Sequence, residues 1–165
     1  MVEIDIREAL KEEGKVYTFH YEGIPDLGED ISFARPLVLD AEYSALDRKV
    51  SVKGAFGTVL NTVCDRCLDD METEISYRFD ELFFRVGTQE EEEYTYEGDV
   101  LSLDKMVYDA IILSLPHQLL CKDDCKGICK VCGMNLNKGE CNCQRTELDP
   151  RMAAIQDVFN KFKEV

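Results

Sequence analysis

The stretch that decides the fold of the C-terminal region is Cys121-Lys-Asp-Asp-Cys125-Lys-Gly-Ile-Cys129-Lys-Val-Cys132-Gly-Met-Asn-Leu-Asn-Lys-Gly-Glu-Cys141-Asn-Cys143, which holds six of the eight cysteines. Cysteines this dense favour a metal site over unrelated free thiols. The stretch has few apolar side chains, so metal binding would supply much of its folding free energy. We therefore expect it to fold around a structural zinc ion held by four thiolates.

The spacing of these cysteines suggests which of them bind. Cys129-Lys-Val-Cys132-Gly133 has the form of a zinc knuckle, in which two intervening residues let both thiolates reach one ion. A glycine in the next position can adopt the left-handed backbone that turns amides toward sulfur. Turn-forming residues then lead to a natural return pair. The predicted metal ligands are Cys129, Cys132, Cys141 and Cys143, with Cys121 and Cys125 as competing ligands, because a tetrahedral site takes four of the six.

A separate pair, Cys64-Asp-Arg-Cys67, lies between two predicted strands. Residues i and i+3 of a strand face opposite ways, so both thiols can reach one ion only if a turn carries them. Together with two of the six other cysteines, Cys64 and Cys67 would form a second four-cysteine site that uses all eight. The alternative interpretation is that both are small buried fillers, as free cysteines often are.

Iron–sulfur chemistry is the rival interpretation of the same cysteines. Cys125-x3-Cys129-x2-Cys132 matches the spacing of radical S-adenosylmethionine enzymes, but those enzymes need a large barrel after the motif, and 33 residues follow Cys132. An electron-transfer cluster is the stronger form of this alternative, because thiolates bind iron as well as zinc. The alternative function is therefore an iron–sulfur or thiol redox protein.

The sequence before the cysteine-rich stretch predicts mostly β-strands. β-Branched and aromatic residues alternate with polar ones, and strands without intervening helices imply antiparallel pairing. Gly54 suggests a bulge. Residues 87–100 are expected to form an exposed loop, whose Glu90–Glu93 block would resist ordering. The candidate strands are Val16–Tyr21, Pro36–Tyr43 (with Pro36 at its start), Val50–Phe56, Thr58–Val63, and Ile75–Phe79 with a continuation over Leu82–Val86.

Two helices are predicted. One runs near 102–115, with Ser102 as N-cap and Pro116 ending it, and the other runs over 149–162 after Asp149-Pro150. The fold class is thus α+β: an antiparallel β-rich body with a few helices and a C-terminal cysteine-rich zinc module. The expected divisions are an acidic β-rich domain with one helix over 1–118, the zinc-binding module over 119–145, and a C-terminal helix packing on the body over 146–165.

Composition limits the functions that are reasonable. Residues 1–120 carry 11 Lys and Arg against 27 Asp and Glu, a net charge of −16, whereas residues 121–165 carry +1. So acidic a body disfavours non-specific nucleic-acid binding. The sequence shows neither a secretory signal nor a membrane span, so we expect a soluble cytoplasmic protein with reduced thiols. His20 and His117 lie near no recognisable nucleophile, and we expect no enzyme.

Two segments resemble the YceD-like family, the large ribosomal RNA subunit accumulation proteins. One is Cys64-Asp-Arg-Cys67-Leu68, and the other runs from Leu115-Pro116 through the cysteines to Cys143. The resemblance implies a role in large-subunit ribosomal RNA accumulation and large ribosomal subunit biogenesis. With this charge, we expect an adaptor whose acidic face binds a basic ribosomal or assembly protein, with no membrane contact and no small-molecule substrate. Ribosomal RNA would meet the C-terminal module at Lys122, Lys126, Lys130 and Lys138. A general zinc-binding interaction module, unrelated to ribosomes, is a further alternative.

Overall fold

The computed structural model describes residues 1–87 and 94–143. Its regular elements are, in chain order, β1 Glu3–Asp5, α1 Arg7–Lys11, β2 Tyr17–Gly23, β3 Phe33–Leu46, β4 Lys49–Val63, β5 Asp70–Arg85, β6 Thr95–Tyr96, β7 Val100–Ser102 and α2 Asp104–Ser114. The chain forms two compact units. Of the described residues, the first contains Met1–Cys64 and Asp69–Cys121, and the second contains Asp65–Leu68 and residues 122–143.

The first unit is built on a five-stranded sheet in the order β2-β3-β4-β5-β6. The neighbours are antiparallel except β5 and β6, which pair in parallel over two residues. β4 and β5 keep one register without interruption from the Lys49–Phe84 pair to the Val63–Asp70 pair. A second, two-stranded sheet pairs β1 with β7. The predicted α+β class with an antiparallel, β-rich body is confirmed.

The core of the first unit follows from the alternation of side chains along the strands. On β3, β4 and β5, the buried apolar side chains recur mostly at every second residue and point to the same face, where helix α2 and the N-terminal strand also bury their apolar side chains. Burying each large aliphatic or aromatic side chain contributes roughly 1.5–3 kcal/mol. The largest fully buried side chains include Phe83, Ile4, Ile6, Leu37, Leu39, Leu101, Leu103, Met106 and Ile111.

A tight turn between β3 and β4 sets the register of this hairpin. Asp47 and Arg48, which join Leu46 to Lys49, have φ angles of 49° and 62°. Positive φ at both central residues is the backbone of a type I′ turn, whose twist matches that of the flanking strands. Neither residue is a glycine, so this turn carries conformational strain.

The strands are longer than the sequence predicts. β3 begins at Phe33, and Pro36 lies inside it, in an irregular stretch where the Oγ1 of Thr58 donates a 3.0 Å hydrogen bond to the Arg35 carbonyl. The bulge predicted at Gly54 is wrong, because β4 keeps its register through this position. Glycine is required there for a different reason: a Cβ would collide with the Asp40 carbonyl oxygen. The separate predicted pieces of β4 and of β5 are each one continuous strand.

The prediction of a loop over 87–100 is wrong for the described residues of this range, because they include β6 and the start of β7. Tyr96 is buried, and its hydroxyl donates to the Arg48 carbonyl at 3.0 Å. The short elements β1 and α1 were not predicted, because three to five residues are too few for a periodic signal. Residues 88–93, with the Glu90–Glu93 block, lie outside the described part of the chain.

Helix α2 lies close to the prediction. It begins at Asp104, and Ser102 is the last residue of β7 rather than the N-cap, although its hydroxyl accepts the Asp104 N–H at 3.3 Å. The helix ends at Ser114, and Leu115 is extended, as the residue before Pro116 should be. The predicted helix 149–162 lies outside the described residues. No described helix combines the length and apolar composition that a membrane span requires.

Candidate metal centres

The described part of the second unit, Asp65–Leu68 and residues 122–143, is built from turns rather than from regular elements. Cys129 donates its N–H to the Met134 carbonyl at 2.8 Å, and its own carbonyl accepts the Gly133 N–H at 2.8 Å. Gly133 has a φ of +74°, the left-handed conformation predicted for the glycine of a knuckle. An isolated antiparallel bridge between Ile128 and Asn135 closes the turn. The backbone thus wraps around the Cys129 side chain.

Four sulfurs meet at this knuckle. The Sγ atoms of Cys129, Cys132, Cys141 and Cys143 all lie within 4.8 Å of one another. A tetrahedral zinc ion with Zn–S bonds of about 2.3 Å holds its sulfurs about 3.8 Å apart, so one ion fits among them with little adjustment. These four are the ligands that the sequence predicts. Metal binding by them stays a prediction.

The local electrostatics favour a thiolate at Cys129. Backbone N–H groups of Cys132 and Val131 point at its sulfur and lower the pKa of Cys129 to about 6. The pKa of Cys143 is raised to about 12. The largest cause is the hydrogen bond with the Cys132 side chain, and partial burial and the Cys141 side chain add to it. Crowded thiols suppress one another's ionisation, and a divalent cation among them would reverse that effect by stabilising every thiolate.

The second set of four sulfurs includes Cys64 and Cys67. β4 ends at Val63, and the next residues form a turn that closes when Cys64 donates its N–H to the Asp69 carbonyl at 2.9 Å. Leu68 completes the turn with a φ of 60°. Both cysteines are buried. The turn therefore does what a regular strand cannot, because it brings residues i and i+3 to the same side.

The remaining sulfurs of this set belong to Cys121 and Cys125. The Sγ atoms of Cys64, Cys67, Cys121 and Cys125 all lie within 4.8 Å of one another, and the backbone N–H of Cys121 donates to Cys64 Sγ at 3.4 Å. The side-chain amide of Asn137 donates to Cys125 Sγ at 3.3 Å. N–H donors of this kind stabilise the thiolate charge that a metal site needs.

Arg66 and Gly127 support the Cys125 turn from within the second unit. The Arg66 guanidinium donates to the Cys125 carbonyl at 3.3 Å, and the Arg66 carbonyl accepts the Ile128 N–H at 2.9 Å. Gly127 has a φ of +72°, and a Cβ there would lie 2.9 Å from the Arg66 carbonyl oxygen. Sequence reasoning assigned Arg66, Gly127 and Asn137 no contact with the cysteine turns. Only Gly127 left a signal, as a glycine between closely spaced cysteines.

The structure thus distributes all eight cysteines over two sets of four. Cys121 and Cys125, the competing ligands of the sequence prediction, join Cys64 and Cys67 instead of the knuckle. Cys125 and Cys129 fall in different sets, so the three-cysteine spacing that resembles radical enzymes does not form one site. The distances suit one ion per set, whereas an iron–sulfur cluster places several atoms between its thiolates and spreads them further apart.

The lysines expected to meet RNA are all exposed, at 122, 126, 130 and 138. His20 lies on the outer face of the sheet, where its Nδ1 is 2.6 Å from an Asp40 carboxylate oxygen. His117 is exposed just after the end of α2. Neither histidine belongs to either set of four sulfurs.

The chain is similar to one described protein family and to proteins of several other organisms. The protein-family model described as large ribosomal RNA subunit accumulation protein YceD matches residues 52–159. An uncharacterized protein of Mycobacterium tuberculosis is 27% identical over 129 residues, covering 74% of this chain and 62% of the relative. An uncharacterized protein of Mycobacterium leprae is 25% identical over 135 residues, covering 78% and 62%.

A plant protein is also similar. The chloroplastic large ribosomal RNA subunit accumulation protein YCED homolog 1 of Arabidopsis thaliana is 24% identical over 153 residues, covering 73% of this chain and 48% of the plant protein. The chain therefore spans less than two thirds of the length of these relatives. No solved structure matches it significantly. The family match extends over well more than half of the chain and confirms the resemblance seen in the sequence. The chain belongs to the family of the large ribosomal RNA subunit accumulation protein YceD.

Proposed function

We propose that this protein is a non-enzymatic factor in the accumulation of large-subunit ribosomal RNA, and hence in biogenesis of the large ribosomal subunit. Membership of the YceD family and the name of the Arabidopsis relative support this role. One structural observation supports a protein built around structural metal sites: the eight cysteines form two sets, and the four sulfurs of each set lie close together. We infer that each set holds a structural zinc ion.

The composition of the two sets argues against metal catalysis. Four thiolates complete a tetrahedral zinc shell and leave no position for a substrate or an activated water molecule. The exposed His20 hydrogen-bonds the Asp40 carboxylate rather than a serine, threonine or cysteine nucleophile. We therefore propose that the protein acts through the surfaces that it presents to partners.

The charge of the chain favours a basic protein as the direct partner. Residues 1–120 have a net charge of −16, which repels phosphate backbones and attracts cationic surfaces over distances of about a Debye length, roughly 8 Å at physiological salt. Ribosomal proteins and their assembly factors bind RNA, so many of them present such cationic surfaces. An adaptor that holds a basic ribosomal or assembly protein until it meets ribosomal RNA agrees with both the charge and the family.

The second unit supports a secondary contact with RNA. It has exposed lysines at 122, 126, 130 and 138, and residues 121–165 carry eight Lys and Arg against seven Asp and Glu, a net charge of +1, in contrast to the −16 of residues 1–120. The knuckle places exposed Val131, with 63% of its surface accessible, beside Lys130. The lysines can contact phosphates, and Val131 offers an apolar contact without an aromatic face for base stacking.

The redox alternative predicts a different spectrum. An iron–sulfur cluster or an iron–thiolate site absorbs visible light, whereas a zinc site is colourless. The fit of one ion to each set favours zinc over a cluster. A protein purified under reducing conditions that is coloured and contains iron would move the redox function to first place.

Depletion of the protein in its own host tests the proposed role. We expect the ratio of large-subunit to small-subunit ribosomal RNA to fall, and wild-type protein to restore it. The double variant Cys129→Ser/Cys132→Ser should not restore it, whereas Asn142→Ser should, because Asn142 is exposed between two predicted ligands and belongs to neither set. An unchanged ratio after depletion would contradict the proposal. Absence of the protein from pre-ribosomal fractions at low salt would favour a general zinc-binding interaction module.

A further inference from the structure

The outer edge of β5 is open over most of its length. Along its other edge, β5 pairs with β4 at every position from Asp70 to Phe84. On the outer side, β6 pairs only with Phe84 and Arg85. Among the described residues, the outer edge from Asp70 to Phe83 therefore has no neighbouring strand. An open edge of this length is a template for an added strand.

The direction of the backbone groups along this edge can be read from its paired end. The N–H groups of Phe84 and Val86 donate to the carbonyls of Tyr94 and Tyr96, both at 3.0 Å, so they point away from β4. Because the β4 register is unbroken, every second residue back along β5 points the same way. The even-numbered residues from Glu72 to Leu82 thus direct their N–H and C=O groups to the open side.

The residues of this edge permit pairing with an added strand, and their charges favour a basic one. Natural edge strands are often blocked by proline, a bulge or charged side chains, lysine above all. Asp70 to Phe83 contains no proline, bulge or lysine, and its charged residues are acidic except Arg78. The even-numbered side chains lie on the solvent face and begin with the exposed carboxylates of Asp70, Glu72 and Glu74. A shallow groove of about 710 Å³ at the same end of the strand is lined partly by Asp70 and Glu72.

We propose that the open edge of β5 binds a basic, extended segment of a partner protein as an additional β-strand. Main-chain hydrogen bonds would supply affinity, and lysine or arginine side chains opposite Glu72 and Glu74 would supply selectivity. The kind of partner rests on the proposed function, because a factor in large-subunit assembly meets basic ribosomal proteins. The place of binding rests on the structure alone.

Other occupants of the edge fit less well. Residues 88–93 of this chain contain Glu90–Glu93 and would bring four more negative charges to the carboxylates of β5. Residues 149–162 are predicted to form a helix, which cannot extend a sheet. A second copy would bring the same acidic strand on a chain with a net charge of −15. A basic segment is the occupant that the charge favours.

A synthetic peptide tests the proposal on the full-length, metal-loaded protein. The probe is a fluorescent nine-residue peptide that alternates lysine with valine, and its counterpart replaces each lysine with glutamate. Ser76→Pro removes one outward N–H from the middle of the edge and leaves the β4 ladder intact, because the outward N–H is not part of that ladder. Ser76→Ala is the matched control.

We expect the lysine peptide to bind, the glutamate peptide not to bind, and Ser76→Pro to weaken binding at least about tenfold, which is 1.4 kcal/mol or more. Ser76→Ala should change the affinity for the lysine peptide less than about twofold. In the wild-type complex, the amides of Glu72, Glu74 and Ser76 should exchange more slowly than in the free protein. This last readout does not depend on the folding of any variant.

Three results would overturn the proposal. Equal binding by Ser76→Pro and Ser76→Ala, or no added amide protection at Glu72, Glu74 and Ser76, would mean that charge attracts the peptide without adding a strand. Self-association that Ser76→Pro abolishes would make a second copy the occupant. The peptide assay contains no ribosome, so its failure leaves the proposed role in ribosomal RNA accumulation standing. An unchanged ribosomal RNA ratio after depletion, with peptide binding intact, would refute only that role.

Discussion

The two units of this chain hold themselves together by different means. In the first unit, apolar side chains fill a core beneath the sheet, and Phe83 retains only 1% of its accessible surface. In the second unit, Val131 and Met134 are exposed, and the buried side chains include Cys125 and Cys129. The first unit is stabilised by burial of apolar area, whereas the described part of the second unit, Asp65–Leu68 and residues 122–143, has few apolar side chains to bury. On the proposal that each set of four sulfurs holds a zinc ion, thiolate–metal bonds take the place of a core in the second unit.

This contrast explains why the sequence signals of the two units differ in kind. A strand that buries one face must alternate, so the signal of the sheet is spread over many residues. A four-thiolate site depends on a few positions and on the turns that carry them. We therefore expect the first unit to respond to changes in packing, and the second to respond to loss of metal and to changes in turn geometry.

Removal of the metal should have the largest effect on folding, and the two units should respond to it differently. With a chelator under reducing conditions, we expect the backbone amide signals of residues 122–143 to collapse into the range of unfolded chains, while those of β3, β4 and β5 stay dispersed. Zinc contributes about 10–16 kcal/mol to the folding of comparable small sites. Two-dimensional NMR before and after chelation measures this. Dispersed signals from residues 122–143 in metal-free protein would show that the second unit folds without metal and would contradict the difference drawn between the units.

Phe83→Ala should have the largest effect of a single substitution in the sheet. Loss of this fully buried ring should lower the free energy of unfolding by about 3–5 kcal/mol, through lost transfer energy and the cavity that remains. Leu82→Ala is the matched control, because Leu82 is next to Phe83 in the sequence but is 49% exposed. We expect it to change the free energy of unfolding by no more than about 0.5 kcal/mol. Denaturant titration measures both. Equal effects at the two positions would refute the assigned core.

Gly127→Ala tests the turn that carries Cys125. The substitution forces a Cβ against the Arg66 carbonyl oxygen at a φ of +72°, and should destabilise the second unit by about 1–3 kcal/mol. Gly139→Ala is the matched control, because a Cβ there meets only the Met134 sulfur at 3.8 Å. Competition with a chelator measures metal retention. If both variants keep metal equally well, the close approach at Gly127 has no energetic importance.

Arg48→Gly should have the smallest effect and the opposite sign. Arg48 holds a φ of 62° in the β3–β4 turn, and glycine adopts this conformation without the penalty of a side chain. We expect the first unit to gain up to about 1 kcal/mol, with no change in metal content. Ser51→Gly, in the regular part of β4, should instead lose about 0.5–1 kcal/mol. Thermal unfolding of the two variants compares them directly. A loss of stability in Arg48→Gly would show that the turn is not strained.

The sequence predicts the first unit well where the signal is local and repeated. Alternation identified β2, β3, β4 and β5, and the lack of helices between them predicted antiparallel pairing but not their order. Alternation broke β4 and β5 into pieces, because a glycine or a polar residue interrupts the pattern without interrupting the ladder. The two-residue strand β6 is fixed by its pairing with Phe84 and Arg85, which lie about ten residues earlier in the sequence. No periodicity can predict such an element.

Spacing alone predicts only part of the cysteine arrangement. The grouping of Cys129 and Cys132 with Cys141 and Cys143 follows from a short loop, and the structure brings their sulfurs together. The partners of Cys64 could not be deduced, because Cys121 lies 57 residues away and the choice is made by the tertiary fold. The same holds for Arg66, whose contacts with Cys125 and Ile128 leave no pattern in the sequence.

The central claim is that this chain folds around two metal ions, each held by four thiolates, and the metal content of freshly purified protein tests it most directly. Native mass spectrometry and elemental analysis, on protein prepared under reducing conditions without added metal, should give two zinc ions per chain and a colourless solution. Cys64→Ser/Cys67→Ser and Cys141→Ser/Cys143→Ser should each remove one of the two ions. A single zinc ion in the wild-type chain, or iron accompanied by visible absorption, would contradict the account.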